Sequence, residues 1–235
     1  MSLAVVHSRA QAGIEAPAVT VEVHIANGLP NLSIVGLPET EVKESKDRVR
    51  AALLNARFEF PARRITINLA PADLPKEGGR FDLPIALGIL AASGQIPAAP
   101  LGDLEFVGEL ALTGELRPVN GALTAALRAQ RAQRSLVVPR ANADEAALAR
   151  EASILPAAHL LEVTAHLAGQ QRLTAHARQE SSIEAAELPD LSDVRGQAHA
   201  KRALEIAAAG GHSLLLIGPP GTGKSMLASR LPGIL

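Results

Sequence analysis

Residues 212–231 read HSLLLIGPPGTGKSMLASRL, and three adjoining patterns in this segment decide its fold. The apolar run at its start predicts a buried strand, the middle is rich in glycine, and the end has the pattern of a helix. Gly218, Gly223, Lys224 and Ser225 match G-x-x-x-x-G-K-[ST] in the strand and helix context that this motif requires. The segment therefore predicts a phosphate-binding loop.

The residue types of the loop suit ATP together with Mg²⁺. Glycines let backbone N–H groups turn inward around a phosphate, and the N-terminus of the following helix adds a positive field. Lys224 is expected to reach the β- and γ-phosphate oxygens, and Ser225 to offer its hydroxyl to Mg²⁺. The predicted binding residues are Gly218, Pro219, Pro220, Gly221, Thr222, Gly223, Lys224 and Ser225.

Hydrolysis of ATP needs more than this loop. Acidic residues at the end of a neighbouring strand must hold Mg²⁺ and orient the attacking water. The residues after Ser225 include no Asp or Glu, and the acids of NADE at 142–145 lie upstream, where they suit the first turn of a helix. We therefore expect the 235-residue chain to bind ATP without hydrolysing it.

The composition restricts the class of protein. Without cysteine there is no disulfide framework and no thiolate metal site. The N-terminus has no long apolar stretch, which predicts a cytoplasmic protein with no membrane span. A net charge of −1 does not indicate nucleic acid, and only four aromatic residues are available for stacking on bases.

The pattern along the chain predicts mixed α/β structure in two domains. Residues 1–168 form the first, 169–188 a polar linker and 189–235 the start of the second. Alternating apolar residues on both sides of Asn27-Gly28 predict a β-hairpin, and a second hairpin is expected around Thr113-Gly114. Helical and strand patterns alternate through the rest of the first domain.

Three segments carry a resemblance to a known family. They are ITINLAPADLPKEGGRFDLPIAL at 65–87, VGELALTGELRPVNGAL at 107–123, and the whole of 190–235. Together they resemble the ComM/YifB family of magnesium-chelatase-like AAA+ ATPases. The resemblance implies an α+β first domain with the Lon-protease-like, ribosomal-protein-like fold, followed by the first strand, loop and helix of a P-loop AAA+ domain. It also implies a hexameric, ATP-driven helicase that moves DNA branches during natural transformation.

The same resemblance allows a comparison with Lon-type proteases. Those enzymes carry a nucleophilic serine in P-K-D-G-P-S and a catalytic lysine after P-I-G-G-L. In this chain PKEGGR places Arg80 at the serine position, and PVNGAL places Leu123 at the lysine position. A guanidinium is no nucleophile and a leucine takes no proton, so we expect a binding or assembly module rather than a protease.

A candidate basic patch lies beside the Gly78-Gly79 turn. Its members are Lys76, Arg80, Arg63 and Arg64, which could contact the DNA backbone. The alternative interpretation is a solvated loop.

The resemblance also suggests candidate contacts to the adenine base. Val194, Gly196 and Gln197, in DVRGQ, match a stretch that lies beside the base in AAA+ proteins. The alternative is an ordinary turn that opens the helix from Ala198.

Two other functions remain open at this point. The chain could be a non-catalytic binding and assembly module in which the loop has no role. It could also belong to an ATPase that remodels a metal-insertion complex, as magnesium chelatase does.

Overall fold

The computed structural model describes residues 2–176 and 188–234. The chain divides into two compact units, Met1–Gln179 and Glu180–Leu235. Part of the predicted linker is attached to the first unit, because Leu173 packs against its core and the His176 N–H donates to the Ile154 carbonyl. The remainder of the linker prediction falls mainly on 177–187, outside the described residues.

The first unit is built on a seven-stranded sheet with the order β3-β4-β2-β1-β5-β8-β9. The two pairings of β2, with β1 and with β4, are antiparallel, and the other four pairings are parallel. The sheet confirms the mixed α/β prediction. Its strands are β1 (Ser2–Arg9), β2 (Ala18–Ala26), β3 (Asn31–Val35), β4 (Arg64–Ala70), β5 (Leu104–Phe106), β8 (Ser135–Pro139) and β9 (Ile154–Ala157).

Five α-helices connect or cover these strands. α2 is apolar on every side because it packs on β1 and β2 and also against α1. Gly88 permits this approach, since an added Cβ would lie 2.5 Å from Cγ2 of Val23. The helices are α1 (Thr40–Asn55), α2 (Asp82–Ala92), α3 (Ala122–Arg131), α4 (Ala143–Ala146) and α5 (Leu160–Leu167).

One of the two predicted hairpins is wrong and the other is confirmed. β2 and β3 do not pair, because β4 lies between them and hydrogen-bonds to both. The turn at 27–30 therefore spans one intervening strand. Around Thr113-Gly114, β6 (Glu109–Leu110) and β7 (Leu116–Arg117) form the expected antiparallel hairpin.

A buried ion pair joins the two halves of the sheet. β1 and β5 share a single register pair, His7 with Glu105, at the junction between the antiparallel and parallel strands. Beside it, Nε and Nη2 of Arg9 donate to the two carboxylate oxygens of Glu105 at 2.6 and 2.7 Å. The Ser8 hydroxyl donates to the Phe106 carbonyl at 2.8 Å. Polar contacts thus reinforce the junction.

The second unit has a small core of its own. Leu191, Val194, Leu204 and Leu227 are buried together, so this core includes one side chain from α6 (Ala198–Gly210) and one from α7 (Lys224–Ala228). The predicted strand at 214–217 is not confirmed, because in the described part of the chain these residues pair with no strand. Leu215 and Ile217 are 80% and 87% exposed.

No helix within residues 2–176 and 188–234 combines the length and apolar character needed to cross a membrane.

The junction ion pair gives a stability prediction. Glu105→Gln keeps the side-chain shape but leaves the buried Arg9 guanidinium without a counter-charge, so we expect a loss of about 3–5 kcal/mol in the free energy of unfolding. Chemical denaturation of the two proteins measures it. Glu44→Gln is the control, because Glu44 is 64% exposed in its pair with Arg48 and should cost less than about 1 kcal/mol. Equal losses in the two variants would contradict a special role for the junction.

Candidate phosphate-binding loop

The loop between 217 and α7 adopts a backbone that requires glycine. Gly221 and Gly223 have φ of +82° and +81°, in the left-handed region that L side chains rarely adopt. Gly223 is also crowded, since an added Cβ would lie 3.2 Å from both Nε2 of Gln197 and Cε of Met226. The two glycines therefore set the path of the loop into the helix.

Lys224 lies across the loop that precedes it. Its ammonium donates to the carbonyls of Gly218 and Pro219 at 2.8 and 2.7 Å. The Thr222 hydroxyl also donates to the Pro219 carbonyl, at 2.9 Å. No carboxylate pairs with Lys224 among the residues that the structure describes. The positive charge is thus held by neutral acceptors of the loop itself, and the side chain is only half-buried.

The donor set of the loop fits a nucleotide phosphate with Mg²⁺. A phosphate oxygen can replace the carbonyls as the acceptor for the ammonium, and a charged acceptor makes the stronger hydrogen bond. Ser225 lies in the first turn of α7 and is exposed, so its hydroxyl can serve as an oxygen ligand for a cation.

Of the three candidate adenine contacts, the structure brings Gln197 to the loop. Its Nε2 donates to the Thr222 carbonyl at 3.0 Å. Gly196 precedes it in a turn with positive φ, while Val194 is 1% exposed and belongs to the core of the unit. Sequence reasoning did not predict the contact between Gln197 and the loop, and no motif connects the two positions.

The four members of the predicted basic patch do not share one surface. Lys76 is fully buried and its ammonium donates to the Pro71 carbonyl, while Arg63 and Arg64 are exposed. Burial lowers the pKa of Lys76. The patch prediction is therefore wrong for Lys76, because its ammonium is buried and donates a hydrogen bond that closes the loop at 71–76.

Arg80 is also buried, with 5% of its surface exposed. Its guanidinium donates to the Arg9 carbonyl at 3.4 Å, to Oε1 of Gln11 at 2.9 Å, and to the Asn120 carbonyl. Burial is the main cause of its lowered pKa. Arg80 therefore bridges three segments of the first unit and is not part of an exposed patch.

The two segments compared with the protease motifs lie side by side in the structure. Residues 77–80 and 118–120 line one cavity of about 250 Å³. Arg80 forms part of its wall, whereas Leu123 is half-buried and packs against the cluster around α3. Neither of these side chains can replace a serine or a lysine in proton transfer.

Comparisons with known proteins agree with these features. The sequence profile described as "Subunit ChlI of Mg-chelatase" matches residues 21–142, just over half of the chain. A second profile, "Magnesium chelatase, subunit ChlI", matches residues 190–235, which include the loop.

Two long relatives are similar over the whole chain. "Competence protein ComM" of Haemophilus influenzae is 57% identical over all of this chain, which covers 47% of that protein. "Uncharacterized protein YifB" of Salmonella typhimurium is 59% identical over all of this chain, which covers 46% of that protein. The chain thus spans about half the length of these relatives.

A more distant match concerns the first unit alone. "Lon protease 2" of Thermus thermophilus is 31% identical over 133 residues, which cover 52% of this chain and 16% of that protein. This similarity to a Lon protease is weak. It is consistent with the α/β structure of the first unit but does not identify the fold family. The two profile matches and the full-length similarity give a firmer result: the chain belongs to the ComM/YifB family of magnesium-chelatase-like AAA+ ATPases, in which nucleotide and Mg²⁺ are used.

Proposed function

We propose that residues 218–225 bind the phosphates of ATP together with Mg²⁺. The observation that carries the proposal is the position of Lys224, whose ammonium is held at the loop by the Gly218 and Pro219 carbonyls. The Lys224 ammonium therefore already lies at the loop. When ATP binds, we expect phosphate oxygens to replace the two carbonyls as its hydrogen-bond acceptors.

Each part of the loop has a distinct role in this proposal. The backbone around Gly221 and Gly223 presents N–H groups to the phosphates, and Lys224 supplies the charge. Ser225 offers one oxygen ligand to Mg²⁺, which when bound neutralises phosphate charge. Gln197, one of the candidate adenine contacts, stabilises the loop by donating a hydrogen bond to the Thr222 carbonyl.

For the longer protein we propose an ATP-driven motor in the cytoplasm that acts on DNA. AAA+ membership supports assembly into a ring, for which we propose a hexamer. The name "Competence protein ComM" of a 57% identical relative supports a role in competence, and we propose that this role is in natural transformation. Movement of branched DNA is the activity that we propose for this ring.

The residues of this chain supply nucleotide binding but not, in our proposal, hydrolysis. The acidic side chains that orient water on a neighbouring strand have no counterpart in the described residues of the second unit, whose 214–217 segment is unpaired. We propose that other parts of the longer protein provide them.

Nucleotide affinity tests the loop directly. Lys224→Ala removes a charge-assisted contact, so we expect the dissociation constant of a fluorescent ATP analogue to rise about tenfold or more. Gln197→Ala removes one neutral hydrogen bond to the loop and should raise it about two- to tenfold. Arg202→Ala is the control, because Arg202 is exposed on α6 and, within the described residues, its ion pair is with Glu205. An unchanged affinity of the Lys224→Ala variant for the ATP analogue would contradict the proposal.

Hydrolysis and DNA activity separate the remaining alternatives. We expect the 235-residue chain to release no more phosphate from ATP than its Lys224→Ala variant, and the longer protein to move branched DNA when ATP is added. Stimulation of the longer protein by a protein substrate and not by DNA would favour a chelatase-type remodelling ATPase. Failure to bind ATP at all would favour a non-catalytic assembly module.

A further inference from the structure

A groove on the first unit lies far along the chain from the phosphate-binding loop. It has a volume of about 400 Å³ and is lined by Pro30 and the start of β3, by Arg50 of α1, and by the segment before β4. β3 is an edge strand of the sheet, so this groove opens at the margin of the unit. The lining residues are Pro30, Asn31, Leu32, Arg50, Phe60, Pro61, Ala62 and Arg63.

Two exposed arginines line this groove, and a third lies next to it. Residues 50–64 contain four arginines and one acid, Glu59, in a chain whose net charge is −1. Within the described ranges Arg50, Arg63 and Arg64 are exposed and take part in no ion pair. Arg50 and Arg63 line the groove, whereas Arg64 begins β4 just outside it, where its Cβ would lie 3.7 Å from a Cβ added to Gly28. The groove therefore carries positive charge that the unit itself does not neutralise.

Some arginines elsewhere on this unit are used differently, although Arg131, like those at the groove, is exposed and has no ion pair in the described chain. On α3, Arg128 pairs with Glu15, and just beyond the helix Arg134 donates to the Gly102 carbonyl at 3.0 Å and pairs with Glu105. Those side chains join segments of the fold. Arg50 and Arg63 line the groove, are exposed and have no ion pair in the described chain, so their charge is available to a ligand.

An aromatic ring and a guanidinium lie together in the groove. Phe60 is partly buried and packs against the main core, which fixes its position. The guanidinium of Arg50 lies 5.2 Å from the centroid of this ring. Planar groups of these two kinds are the surfaces on which unstacked bases pack.

We propose that this groove binds single-stranded nucleic acid, with a base against Phe60 and Arg50 and with backbone phosphates on Arg63 in the groove and on Arg64 beside it. A concave site of this volume suits one splayed nucleotide, and a base can pack on the ring of Phe60 only when it is not stacked on its neighbours. An acidic peptide matches the charge but gives the aromatic ring no planar partner. This binding site is separate in sequence from the ATP-binding loop, and we expect it to bind nucleic acid in the absence of ATP.

The test measures binding of a fluorescent oligothymidylate to the 235-residue chain by anisotropy, without ATP, over a range of salt concentrations. The double variant Arg63→Ala/Arg64→Ala should weaken binding about tenfold or more at low salt. It should also reduce the slope of log affinity against log salt by about 1.4, since each phosphate contact on a single strand contributes about 0.7. Phe60→Leu keeps an apolar side chain at the core and should weaken binding about five- to hundredfold through lost stacking.

The control variant is Arg131→Ala, which removes an exposed arginine of α3 that has no ion pair in the described chain. It should change the affinity less than twofold. Circular dichroism of each variant checks folding, and the double variant decides the outcome because both of its side chains are exposed.

Three results would overturn the proposal. One is wild-type affinity in the double variant, and another is an equal loss in Arg131→Ala. The third is competition by poly-glutamate as effective as that by unlabelled oligonucleotide, which would point to an acidic protein partner. The Lys224→Ala variant should bind the oligonucleotide normally, and the groove variants should bind ATP normally, so failure here is distinct from failure at the loop.

Discussion

The buried ion pair of Arg9 with Glu105 is the contact on which the first unit depends. It lies where β1 and β5 share one register pair, between the antiparallel and parallel parts of the sheet. The Arg9 carbonyl also accepts a hydrogen bond from Arg80, so the wall of the 250 Å³ cavity is attached to the same residue. Removing either partner would leave the other as an uncompensated buried charge, so one substitution is expected to disturb both the strand junction and the cavity wall.

Local patterns predicted many elements of the fold but not their order in the sheet. The β6–β7 hairpin was accessible because the turn at Thr113-Gly114 and its flanking residues are encoded within a short window. The pairing of β3 with β4 was not, because the turn at 27–30 is equally compatible with a hairpin. β1, though central in the sheet, went unpredicted, and its contacts with β5 join residues about a hundred positions apart.

The candidate sites show the same division. Residues 218–225 were recognisable because eight consecutive residues carry the chemistry, whereas the hydrogen bond from Gln197 to Thr222 spans 25 positions. The basic patch failed for a different reason. Sequence proximity places Lys76 and Arg80 beside a glycine turn, but carbonyl acceptors at Pro71, Arg9 and Asn120 allow both charges to be buried.

Accessibility, rather than hydrogen-bond chemistry, distinguishes the roles of these cations. Lys76 and Lys224 both donate to backbone carbonyls, but Lys76 is fully buried and Lys224 only half-buried. A ligand can therefore exchange with the acceptors of Lys224, whereas reaching Lys76 would require the loop at 71–76 to open. Arg63 forms a third class, since it is exposed and has no ion pair within the described chain. A basic residue thus indicates binding only when it is reachable and its present partners are neutral or absent.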